Sequence, residues 1–246
     1  MVTTASSVVD PPRVRPLVCD WDASSTKPGT SSNSQVWREL LAEVPGLLPA
    51  VVLNRRLGEL IPPAVTSCTL AALDAGEIPL LLGGDHRLTY DAVKAVVHRT
   101  AGVQVHHFDA HHDAHPSPTL SNFSVFDHLS RNLAVPVVRY GCRESPLPTR
   151  DPATLPQAVP AQAAYLSIDL DYLDPDGFSC VSFPVPVPAE GVCTVRSLTA
   201  LITSIRASQP IVGFDIVEWC GHRANNQERQ AVVEVLTALV QPVASR

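Results

Sequence analysis

The chain has 246 residues, with 18 basic against 24 acidic side chains, a net charge of −6 and 45% hydrophobic residues. That composition excludes wholesale disorder, and the lack of any Lys/Arg run argues against a nucleic-acid partner. No apolar run approaches the roughly 20 residues that span a bilayer, so no membrane segment is expected.

The opening MVTTASSVVDPPRVRP has neither a basic n-region nor an apolar h-region, so it does not read as a signal peptide. Residues 1–16 are expected to be a flexible tail on one domain spanning 1–246. Residues 22–35, DASSTKPGTSSNSQ, read as a polar loop, as do 116–122 and 144–160. A helical pattern over Ala64–Ala75 precedes a short apolar run, Ile78–Leu82, and another helix is expected over Thr89–His98. Further apolar runs follow at Val103–Phe108, Ala163–Leu170 and Ile211–Val217. None of the four alternates cleanly, as strands covered on both faces do not. Helical patterns at Val195–Ala207 and Gln227–Val240 flank the last run. Strands alternating with helices predict an α/β fold with a mainly parallel sheet, whose ligands gather at the carboxyl ends of the strands. The six cysteines (Cys19, Cys68, Cys142, Cys180, Cys193 and Cys220) are scattered without a C-x-x-C pair. That spacing argues against a disulfide framework or a thiolate zinc site and predicts a reducing, cytoplasmic setting.

Polar clusters fall just past each of the four runs. Gly83-Gly84-Asp85-His86 follows the first, where the glycines permit a tight turn. The second is followed by Asp109-Ala110-His111-His112-Asp113, within a stretch holding five of the nine histidines. Asp109, His111 and Asp113 recur at every second position and share one face of extended backbone. His106, His107, His112 and His115 are assigned to packing or solvent, with His112 able to line the cavity. Asp169-Leu170-Asp171 ends the third run, and Asp215-Ile216-Val217-Glu218 the fourth; Asp215, in an apolar setting, needs a partner. Crowding four carboxylates beside two imidazoles without a cation would be costly. His86, Asp109, His111, Asp113, Asp169 and Asp171 therefore suit two divalent cations. Oxygen-rich ligation without thiolate favours Mn²⁺, leaving zinc, iron and cobalt open. The expected chemistry is attack by a metal-bridging hydroxide on an electrophilic carbon.

In this order, GGDH, D-A-H-x-D, S-x-D-x-D-x-L-D-P and D-x-V-E resemble the motifs of the ureohydrolases, arginase and agmatinase among them, over about residues 78–240. Phe126-Asp127-His128 and Gly141-Cys142-Arg143 are similar to agmatinase segments. The resemblance implies a three-layer α/β sandwich and a binuclear manganese site held by the six residues above. It implies that Asp113 orients the nucleophile, that Glu218 pairs with the substrate guanidinium, and that His128 shuttles a proton to the departing amine. The implied reaction releases urea and a primary amine. The stretch after Asp109 lacks the asparagine and serine pattern by which arginases hold the α-carboxylate and α-amino groups. An agmatine-like or larger guanidino substrate, a peptide or secondary metabolite, is thus favoured over free arginine. Relatives are often trimers or hexamers, so a homo-oligomer is among the expectations. The competing readings are a same-fold hydrolase of a formimino or acylated amine, and a non-catalytic metal-binding homologue.

Overall fold

The computed structural model describes residues 13–19, 33–53, 61–143, 162–185 and 192–242. Most of the loop expected at 22–35 and all of that at 144–160 lie outside them. Seven strands are described: β1 (Val14–Cys19), β2 (Val51–Leu53), β3 (Ile78–Leu82), β4 (Val103–Phe108), β5 (Val137–Tyr140), β6 (Ala163–Asp169) and β7 (Ile211–Val217). They form one sheet in the order β2-β1-β3-β7-β6-β4-β5, and every ladder is parallel. The helices are α1 (Ser34–Glu43), α2 (Ile61–Asp74), α3 (Leu88–Arg99), α4 (Val125–Leu133), α5 (Val195–Ser208) and α6 (Asn226–Val240).

The four apolar runs are the four central strands β3, β7, β6 and β4, side by side. Burial on both faces explains their lack of alternation: all seven residues of β6 are buried. One apolar layer joins the sheet to α1, α5 and α6 through Trp37, Leu198, Ile202, Val235 and Leu239. The other joins it to α2, α3 and α4 through Val65, Val93, Val96 and Leu129. Together these make the expected three-layer sandwich.

Local chemistry sets the helix ends. Pro62 and Pro63 sit in the first turn of α2, where a missing N–H costs nothing. Thr194 caps α5 in reciprocal bonds with Ser197, and Asn225 caps α6 with Glu228. Among the described residues no helix is long and apolar enough to cross a membrane.

Two expectations need correction. Residues 1–16 are not a tail throughout: Val14, Arg15 and Pro16 begin β1, hydrogen-bonded between β2 and β3. Two arginines and a proline interrupt the apolar signal there. Arg15 is kept at the sheet's amino edge by Glu77, at 2.7 and 2.8 Å. The polar loop set at 22–35 ends earlier, because Ser34 and Gln35 already belong to α1, whose buried face is Val36, Trp37 and Leu40.

Candidate metal centre

All four polar clusters meet at the carboxyl edge of the central strands. After β3, Gly83 turns the chain at φ +83° and gives its N–H to the Ile216 carbonyl at 2.8 Å. A Cβ at this position would lie 2.7 Å from Trp37 Nε1, so only glycine fits. The turn buries His86 fully and aims its Nδ1 at three carboxylates: Asp113 Oδ2 at 2.9 Å, Asp109 Oδ2 at 3.3 Å and Asp169 Oδ2 at 3.7 Å. Despite this proximity, Nδ1 has no partner in hydrogen-bond geometry. The other ring nitrogen, Nε2, lies 3.1 Å from Ser167 Oγ, which itself donates to Asp215 Oδ1 at 2.8 Å. This relay lets Nε2 donate to Ser167 and turns Nδ1 to the carboxylates. Burial opposes charge on the ring, but Asp109 and Asp113 hold its pKa well above the usual histidine range, and a cation would take the place of that Nδ1 proton. Asp215, buried and apolar in setting, thereby has the partner it needed.

Asp109, just past β4, is held by donors at both of its oxygens. Its Oδ1 accepts the His111 N–H at 2.5 Å and its Oδ2 accepts from His107 Nε2 at 2.7 Å. Burial opposes its ionisation, but His107, His111 and His86 outweigh burial and hold its pKa well below the usual carboxylate range. His107 is itself fully buried, stacked on Phe126 at 3.7 Å, and burial lowers its pKa to about 4. It is therefore a neutral donor that orients Asp109. Asp113 ends the run in the left-handed region, φ +46°, with its carbonyl accepting from Phe126 N at 2.9 Å.

From β6, Asp169 Oδ1 caps the following turn through Asp171 N at 2.9 Å, and Asp171 Oδ1 accepts from Ala110 N at 2.9 Å. Arg143 secures this turn, donating to the carbonyls of Asp171 at 2.6 Å and Tyr172 at 2.9 Å. From β7, Glu218 adopts φ +59°. Its Oε1 accepts from His86 N at 2.8 Å, its own N–H donates to Gly84 O at 3.0 Å, and Ser182 donates to its carbonyl from N and Oγ. A non-glycine residue rarely takes such a φ unless its surroundings impose it. Of the three described non-glycine residues that do so, Ala134 ends α4, and Asp113 and Glu218 each carry a carboxylate at this edge.

Two donor groupings have ligand atoms within 4.8 Å of one another: His86, His107 and Asp109, and Asp109, His111 and Asp171. Asp109 belongs to both. Crowding shows in the ionisation of the site. Burial and then Asp109 raise Asp113 to about 6 and Asp171 to about 7. Burial, Asp171 and Asp109 push Asp169 well above the usual range, and burial with Asp85 lifts Glu218 to about 8. Burial opposes charge on His111, yet Asp109 and Asp171 raise it to about 11. His111 Nδ1 lies 2.6 Å from Asp171 Oδ2, an oxygen buried without hydrogen-bond geometry. Like His86 Nδ1, this is a buried potential ligand atom without a well-aligned hydrogen bond. Hard oxygen donors with imidazole, short of positive charge, fit divalent cations.

The six residues expected as metal ligands come together, with Glu218 beside them. His107, expected to serve packing or solvent, instead hydrogen-bonds Asp109. The signal was available, because His107 and Asp109 are two apart at a strand end and alternation puts them on one face. The Ser167–Asp215 relay was only half visible, since a serine inside an apolar run carries no metal signature. His128 is placed differently from the six. In the F-D-H segment it is Phe126 that meets the cluster, edge-on to His86 at 5.2 Å and stacked on His107. Two residues later on α4, the His128 ring faces Tyr90 at 6.3 Å and its Nδ1 faces Asn132 at 3.3 Å. Among the described residues, no hydrogen bond or ring contact joins His128 to the six.

A family model described as "Arginase family" matches residues 59–154 and 151–240. The chain is 27% identical to the mitochondrial arginase of Medicago truncatula, covering 87% of this chain and 69% of that protein. It is 28% identical to the N(1)-aminopropylagmatine ureohydrolase of Thermus thermophilus, covering 61% of this chain and 57% of that protein. Among solved structures, the proclavaminate amidino hydrolase of Streptomyces clavuligerus superposes with a TM-score of 0.78 at 21% identity, covering 94% of this chain and 91% of that one. A hypothetical agmatinase from Burkholderia thailandensis gives 0.75 at 20% identity, covering 93% and 84%.

Proposed function

The chain belongs to the arginase family of C–N hydrolases, and from that premise we propose that it is a manganese-dependent amidinohydrolase. In this reading it cleaves a guanidino group to urea and a primary amine. The observation that carries it is Asp109, shared between two donor groupings and joined by side chains from three strand ends. His86, Asp109, His111, Asp113, Asp169 and Asp171 would hold two divalent cations, which four carboxylates would nearly neutralise. Bound there, the cations would supply a water of lowered pKa as the nucleophile and positive charge to offset the clustered carboxylates.

The protein's own groups supply orientation and proton control. Asp113, fixed by its Phe126 contact, is placed to accept a hydrogen bond from the attacking water. Glu218 presents a buried carboxylate raised to about 8 by burial and Asp85, and a guanidinium is the partner that would restore its charge. Planar paired hydrogen bonds would then fix the guanidinium carbon before the nucleophile. The departing amine needs a proton, and His128 is the proposed donor: its Nε2 is buried without a partner. The carrier is agmatine-like or larger rather than free arginine.

The test is urea release by manganese-loaded protein from agmatine, guanidinobutyrate, arginine and arginine-containing peptides. Turnover of at least one guanidine, abolished by chelation, supports the proposal. Turnover of a formimino substrate alone would move it to another C–N bond, and no turnover with two manganese ions bound would overturn it. His128→Asn should lower kcat and leave manganese uptake intact; an unchanged kcat would assign the amine's proton to solvent.

A further inference from the structure

Two aromatic rings meet at the carboxyl edge, and the mechanism above uses neither. Phe123 is 45% exposed, and its ring lies 5.4 Å from that of Phe183, at 68°. They come from different strand exits. Phe123 lies in the stretch leaving β4 past Asp113. Its carbonyl accepts from His115 N at 2.9 Å, and Phe126 N bonds back to Asp113 O. Phe183 lies in the stretch leaving β6, directly after Ser182, whose N and Oγ both hold the Glu218 carbonyl, at 2.9 and 3.1 Å. The ring pair thus joins the backbone segment that positions Asp113 to the one that positions Glu218.

A half-exposed phenylalanine paired with a second ring outside both apolar layers is surface that gains from being covered. Its place, continuous with the supports of Asp113 and Glu218, makes the substrate the cover. Three of the described arginines at this edge are turned toward the protein. Arg143 gives both terminal nitrogens to backbone carbonyls. Arg87 faces Asp91 at 3.9 Å. Arg139 is in register with His107, so its side chain shares the α4 face of the sheet, and its Nε is buried there. What the ring pair offers is two apolar faces and edges, suited to methylenes or to another ring and unsuited to a carboxylate.

We infer that Phe123 and Phe183 form the carrier subsite, and that the guanidino group is borne on an apolar alkyl or aromatic amine with no carboxylate beside the rings. This rests on the amidinohydrolase reading. The probes are 2-phenylethylguanidine, agmatine and arginine, used with manganese-loaded wild-type protein, Phe123→Ala, Phe123→Leu and Phe183→Ala. Wild type should show a KM for 2-phenylethylguanidine about 10-fold or more below that for arginine. Phe123→Ala should raise that KM by about 10-fold, with kcat and manganese content unchanged, while Phe123→Leu recovers most of the loss. Independently of turnover, saturation-transfer NMR should show the phenyl protons of the probe in contact with wild-type protein, and less so with either alanine variant. Arginine equal to or preferred over 2-phenylethylguanidine, or an unmoved KM in folded Phe123→Ala, overturns the subsite and leaves the hydrolase reading standing. If no guanidine is turned over, the hydrolase reading fails, and the NMR contrast alone decides: its presence supports the subsite and its absence overturns it.

Discussion

The two edges of this sheet handle charge in opposite ways. At the amino edge, Glu77 meets Arg15 at 2.7 Å and Arg13 at 3.0 Å, and Arg15 with Arg13 holds its carboxyl below the usual range. Two arginines there more than cover the one carboxylate, and the result is an ordinary fastening of β1 to β3. At the carboxyl edge, Asp109, Asp113, Asp169, Asp171 and Glu218 crowd around imidazoles, and most of them are driven toward the protonated form. One edge is complete as folded, whereas the other is a charge deficit that a bound cation would fill.

The largest effect should come from deleting a carboxylate at the deficient edge. Asp113→Ala should lower kcat by at least about 10²-fold on any accepted guanidine, measured as urea release with manganese supplied. Retained turnover would remove Asp113 from the chemistry. Manganese itself should stabilise the fold. Saturation at about 100 times Kd is worth roughly 2.7 kcal/mol, or about 5–10 °C in Tm for a chain of this size, reversed by chelation. A melting curve indifferent to manganese would mean that the edge is not a cation site.

The edges should also respond to pH with opposite sign. Asp113 and Asp171 have folded pKa values of about 6 and about 7 against an ordinary 3.8. The metal-free fold therefore holds protons that the unfolded chain has released, and their contribution to stability falls as pH rises from about 4 to about 7. Glu77 is shifted below its ordinary 4.5, so its contribution is present above that value and is lost as pH falls further. Thermal melts in chelator should show Asp171→Asn flattening the first limb and Glu77→Gln the second. A smaller change is expected from Ser167→Ala, which frees His86 Nε2: manganese affinity should weaken by about 10–100-fold by titration calorimetry. Smallest of all, Glu77→Ala should cost at most about 1 kcal/mol of unfolding free energy and leave kcat untouched.

The same contrast explains how much could be read from the residues. The four central strands were legible because burial on both faces makes continuous apolar runs, and three of them match the observed boundaries residue for residue. The flanking strands were not. β1 carries Arg15 and Pro16, and β2 is three residues long, so neither has a usable period. The six candidate ligands were legible because carboxylates and histidines ending apolar runs have few purely structural uses. Their supports were not, because the Ser167 hydroxyl and the Arg143 guanidinium act on atoms far away in the chain. The buttressing of Glu218 was invisible for the same reason. Asn33 donates to the Trp219 carbonyl and accepts from His222 N at 3.2 Å, and Trp37 packs on Trp219 at 4.6 Å.

The left-handed backbone at Asp113 and Glu218 has a consequence for how such a chain would age without use. Glycine takes that conformation without strain and would also relieve like-charge repulsion. Folding alone therefore rewards erasing both carboxylates. In a copy under no demand to bind at this edge, these two codons should be among the first to drift toward glycine.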